Sequence, residues 1–189
     1  LENCGEEEMS LYSDLEDFLL EGTQESFALL GYPTPNTDGD EWIIFSHSNG
    51  AEPCESYCVI NVLSTLAVGR AFESTAIATQ TGLVYTQQYE LTVRFQFIGS
   101  QSGELSHVFF ENINKNRLVR EIFQVKGISP TRKTPVRRVP QLRTVTWIDS
   151  FNVDVVFSFN HKTTQLVNWV EHVRIKDEKN DITTIPPLP

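Results

Sequence analysis

The chain has 189 residues, 40% of them hydrophobic and 21% charged, a balance that fits one globular domain with its own core and excludes a disordered chain. No apolar run approaches the roughly 18 residues a membrane helix needs, so a membrane span is not expected. The net charge of −10 is split unevenly. Residues 1–69 hold 14 Asp or Glu and no Lys or Arg, and the remainder holds 11 acids and 15 bases, which argues against a general nucleic-acid binder and allows head-to-tail attraction between copies.

In chain order, Glu6 to Leu30 is the one helix-like stretch, with Leu11, Leu15, Phe18 and Leu19 at helical spacing. It predicts a short helix or an irregular acidic arm over 1–30. Gly31 to Asp40, rich in Pro, Asn, Asp and Gly, reads as a loop. Strands are then expected at Glu41–Ser46, Tyr57–Leu63 and Arg70–Gln80. Cys54 and Cys58 lie close enough to bridge in a tight loop, or to remain as two thiols at a strand edge, and Cys4 is left over. Tyr89–Ile98 alternates most cleanly: Tyr89, Leu91, Val93, Phe95 and Phe97 face a core, and Glu90, Thr92, Arg94 and Gln96 face away.

Leu105–Glu111 and Leu118–Val125, joined by an Asn-rich turn at 112–116, read as a hairpin. Lys126–Arg143 carries 6 of the 15 bases and three prolines, which predicts a long extended loop outside any sheet centre. Thr144–Ile148, Asn152–Asn160 and Asn168–Lys176 complete a set of eight or nine strands with no helix between them. The pattern calls for an all-β sandwich or barrel. Leu1 in place of Met and the Ile185–Pro189 end suggest cuts from a longer polypeptide, with 181–189 as a Pro-rich linker or tail.

The segment Gly82-Leu83-Val84-Tyr85-Thr86-Gln87-Gln88-Tyr89-Glu90-Leu91 and the closing strand Val170-Glu171-His172-Val173-Arg174-Ile175 resemble those of the galactose-binding-like jelly rolls. The nearest likeness is to the carbohydrate-binding modules of polysaccharide-degrading enzymes. Gln87 stands where that family has a turn glycine, and Glu171 where it has Asp. The resemblance implies an antiparallel two-sheet jelly-roll sandwich over 31–180. It also implies a structural calcium held by Glu171 with acids of the arm such as Glu16 and Asp17. The same jelly roll occurs in adhesive modules and in phage tail and virion proteins.

A glycan site needs aromatic faces beside amides and charges, and Trp42, Tyr85, Arg94, Gln96 and Gln124 are its candidates. Trp147 and Trp169 alternate with strand neighbours and are expected in the core. Arg132, Lys133, Arg137 and Arg138 of the basic segment could grip an acidic polysaccharide or the acidic arm of a neighbouring copy. No nucleophile, phosphate-loop or metalloprotease motif is present, so no catalytic residue is assigned. The expected role is a non-catalytic, extracellular or surface-displayed module that binds a polysaccharide or a glycoprotein glycan. The alternative is a structural subunit of a virion, tail fibre or surface filament, with copies of itself or neighbouring subunits as partners.

Overall fold

Phe95, Phe97, Phe109, Phe123 and Phe157 are all shut off from solvent, and what covers them defines the architecture. The computed structural model describes residues 6–32, 42–48, 53, 55–75, 82–143, 145–166, 174–175 and 183–184. The chain divides into two compact units, one of Leu1–Val68 with Gln88–Asn160 and one of Gly69–Gln87 with His161–Pro189.

The main sheet has the order β1 (Ile43–Phe45), β2 (Tyr57–Thr75), β3 (Gly82–Ile98), β8 (Ser150–Leu166) and β4 (Ile128–Lys133), and β5 (Arg137–Arg138) also pairs with β8. β1 runs parallel to β2, while β4 and β5 run antiparallel to β8, so the sheet is mixed. β4 is interrupted by a register shift between Pro130 and Arg132. A separate ribbon pairs β6 (Gln141–Arg143) with β7 (Thr146–Ile148) in antiparallel fashion.

In the first unit, one face of the sheet is buried. Leu91, Val93, Phe95 and Phe97 of β3 and Val153, Val155, Phe157 and Phe159 of β8 alternate with half-buried neighbours, the two-residue period that turns every second side chain to one face. Three helices cover that face: α1 (Glu6–Leu29), α2 (Ser102–Lys115) and α3 (Arg117–Val125). Phe109 of α2 lies between Phe95 at 4.6 Å, Phe97 at 5.8 Å and Phe27 of α1 at 5.7 Å. Phe123 of α3 packs on Phe157 at 5.3 Å. Each such fully buried side chain contributes about 1.5–3 kcal/mol relative to exposure.

The helices follow from local spacing. Leu105, Phe109 and Ile113 recur every four residues and are all buried, as are Val119 and Phe123. Asn116 separates the two helices. Its backbone is extended, and its side chain accepts a hydrogen bond from the Leu118 N–H at 3.0 Å, capping α3. Lys115 with Glu111 and Arg117 with Glu121 add exposed pairs one turn apart.

The second unit holds the end of β2, the start of β3, the end of β8 and a short ribbon of β9 (Arg174–Ile175) and β10 (Thr183–Thr184). Thr183 and Thr184 pair antiparallel with Ile175 and Arg174.

The strand-rich reading and the alternation in β3 and β8 hold, but the antiparallel jelly-roll sandwich does not. The layer facing the main sheet is helical, and the sheet contains a parallel pair. The hairpin expected over 105–125 is α2 and α3. The acidic arm is a 24-residue helix. The segment 126–143, expected as a loop, supplies β4, β5 and β6. Its proline-bearing strand β4 lies at the end of the sheet order, where a missing N–H is tolerated.

Candidate interaction surface

The face of the main sheet opposite the helices is polar. Arg94 on β3 donates from Nε to Asp154 Oδ1 on β8 at 2.7 Å and from a terminal nitrogen to Oδ2 at 3.2 Å. This fork-on-carboxylate bond raises the Arg94 guanidinium further above its already high range. Gln96 donates to Ser150 Oγ at 3.0 Å. Arg132 reaches Glu90, and Arg137 approaches Asp154 at 3.8 Å. Arg94 and Gln96, proposed to read a sugar, are therefore engaged with Asp154 and Ser150 of β8.

Trp42 and Gln124 do not join them. Trp42 is buried and stands edge-on to Phe27 at 4.8 Å, and its indole Nε1 has no hydrogen-bond partner among the described residues. Gln124 lies on α3 and donates to Ser129 Oγ at 3.4 Å. Tyr85 is half-buried and belongs to the second unit.

The basic segment is tied down within the chain. Lys126 bonds Glu21 at 2.7 Å and Glu25 at 3.1 Å on α1, and Glu21 foremost holds its ammonium above the usual lysine range. Lys133 donates to the Phe110 carbonyl and sits over the Phe110 ring at 3.9 Å, where burial lowers its pKa. Arg138 donates from Nε to Asp149 at 3.0 Å. The Thr134 N–H donates to the Asp154 carbonyl at 2.8 Å, and Thr134 Oγ1 accepts from the Asp154 N–H at 3.0 Å, fixing the segment to β8. Even so, Arg132, Arg137 and Arg138 keep more than half of their side chains in solvent. Paired charges that exposed contribute little to stability and remain open to a partner.

Among the described residues no group of three or more His, Cys, Asp or Glu could hold a metal ion. Glu16 lies 3.6 Å from His47, Asp17 is exposed, and Glu171, the expected anchor of a calcium site, lies outside the described residues, as does Trp169.

Sequence reasoning expected the strand over Thr144–Ile148 but missed its pairing with Gln141–Arg143 in a ribbon. Trp147, expected in the core, is 69% exposed, and its cross-strand partner Leu142 is 58% exposed. Val145 between the strands is 86% exposed. Directly opposed residues of a ribbon share a face, so Leu142 and Trp147 form one apolar pair. On β2, Leu63 and Leu66 are exposed as well, and Phe72 in the second unit is too.

A family model described as phage neck terminator protein matches residues 9–182. No curated protein matches the chain. The family match overturns the likeness to galactose-binding-like carbohydrate-binding modules, which rested on strand order and spacing that helices α2 and α3 in fact interrupt. It leaves glycan binding without support.

Proposed function

The chain belongs to the phage neck terminator family, a structural family of the virion, and from that premise we propose that it is a subunit of the neck that works by holding neighbouring virion subunits. One observation carries the reading. Large apolar side chains (Leu142, Val145 and Trp147 on a ribbon, Leu63 and Leu66 on a strand) stand in solvent in the first unit. Single exposed apolar residues need no explanation, but a paired Trp and Leu beside an exposed Val form a contiguous patch of the kind that marks an interaction site. Partners that are virion subunits also place the protein in a particle released from the cell.

The engaged state of Arg94, Asp154, Gln96 and Ser150 supports the same reading. Arg94 and Gln96, bonded to Asp154 and Ser150, have a framing role, and the exposed apolar side chains are left as the adhesive element. Gold-labelled antibody against this chain should mark the head–tail junction of purified particles. Labelling spread along tails or fibres, or particles free of the chain, would refute the assignment.

A further inference from the structure

We propose that the β6–β7 ribbon of one copy docks on the outer face of α1 of a second copy, giving a head-to-tail contact between copies. The inference rests on the virion-subunit reading and names the partner of its exposed surface.

The donor side is the ribbon of β6 and β7. Its Leu142–Trp147 pair and Val145 provide an apolar tip. The segment that carries it is basic: residues 126–148 contain six Lys or Arg and no Asp or Glu, and the first acid, Asp149, follows the ribbon. Two of those bases, Arg137 and Arg138, lie just before the ribbon with more than half of each side chain exposed. A Trp flanked by Arg is the composition that dominates binding energy at protein interfaces.

The acceptor side is α1. Asp14, Asp17, Glu21 and Glu25 are exposed and recur at three- and four-residue spacing, so they form one acidic row along the helix. The row ends at Leu29, which is 45% exposed. From Asp14 to Leu29 this face runs about 22 Å at the usual helical rise, enough to seat a short ribbon. Within the chain, Lys126 reaches only the Glu21–Glu25 half of the row. Among the described residues no ion pair engages Asp14 or Asp17.

The two sides match in charge and in apolar content, and each remains exposed in the single chain, so neither satisfies the other internally. Two different patches that fit each other on identical chains make a heterologous contact: every copy offers its ribbon to one neighbour and its helix to another. Opposite charge brings the faces together and sets their register, while Trp147 and Leu142 supply the buried anchor.

The test uses the full-length chain and two variants, with folding verified by circular dichroism. One removes the apolar tip (Leu142→Ser/Trp147→Ser), and the other reverses the free half of the acidic row (Asp14→Lys/Asp17→Lys). All substituted side chains but Leu142 and Trp147 are charged, and every one is exposed, so the fold should survive. By sedimentation in low salt, wild type should exceed monomer mass. Each variant alone should associate more weakly by on the order of thirtyfold, as loss of an interface anchor does. An equimolar mixture of the two should stop at dimer, because each variant keeps one competent face. Wild-type chain that stays monomeric, variants that assemble like wild type, or a mixture that remains monomeric would each overturn the proposal. Gold labelling of the neck in the same phage would then show that the subunit assignment survives while this contact does not.

Discussion

Gly22 lies within α1, where a residue with a side chain would favour the helix by up to about 1 kcal/mol. A Cβ there would stand 2.6 Å from Cε1 of Phe123, a ring with no solvent exposure and therefore little room to retreat. Overpacking of this kind costs about 1–3 kcal/mol. Gly22→Ala should lower the urea midpoint, and in a Phe123→Leu background the same change should become neutral or stabilising, because the coupling is between these two positions. Equal effects in both backgrounds would disprove the contact. Cys58 is fully buried, and burial pushes its thiol far above the usual range, so the reactive thiolate is suppressed. In a Cys4→Ser/Cys54→Ser chain, a thiol reagent should consume no Cys58 until denaturant is added; rapid labelling of the native protein would contradict this. Lys126 gives a pH signature. Its folded pKa is raised by Glu21 and Glu25, so the stability it adds is fully present below the unfolded lysine value of about 10.4. That contribution is lost as pH rises through the higher folded value. Tyr57, whose pKa burial also raises, adds to the same alkaline decline. Lys126→Met should thus flatten the alkaline fall in unfolding free energy without abolishing it, and coincident wild-type and variant profiles would exclude the effect.

At the scale of the element, Asn116 is the joint between α2 and α3. Asn116→Ala removes the side-chain acceptor of the Leu118 N–H and should cost about 0.5–2 kcal/mol, seen as a lower thermal midpoint, with Asn116→Asp nearly neutral. The alternation of β3 and β8 was legible because a half-buried strand writes its period directly into ten residues. α2 was not. Val108-Phe109-Phe110 is an apolar run that suits a strand in a short window, and only Leu105, Phe109 and Ile113 together reveal a repeat of four. The proline-rich segment looked like a loop because prolines interrupt ladders; it pairs nonetheless because it pairs on one side only. For the surface, residue types could be read but partners could not. Nothing local to Arg94 announces Asp154, 60 positions away, and nothing local to Trp147 says that its ribbon has no layer above it.

Across the whole molecule, the charge asymmetry between the first 69 residues and the rest is partly spent inside the chain. Lys126 joins α1 across that divide, while Arg132, Arg137 and Arg138 each reach an acid beyond residue 69, on the main sheet or the turn before β8. Association between copies should therefore weaken with added salt, yet less steeply than six unpaired bases would require, with an apolar remainder that persists. Light scattering across a salt series checks this, and an association indifferent to salt would remove charge from the account. The rims of the main sheet have a further consequence. One rim strand, β1, is three residues long; at the other, β5 has two residues and β4 is broken by Pro130 and a shifted register. None of these three strands offers a long straight row of peptide groups, so strand-upon-strand addition along β1, β4 or β5 is discouraged. Contacts between copies then depend on side-chain fit more than on the pairing of these edges.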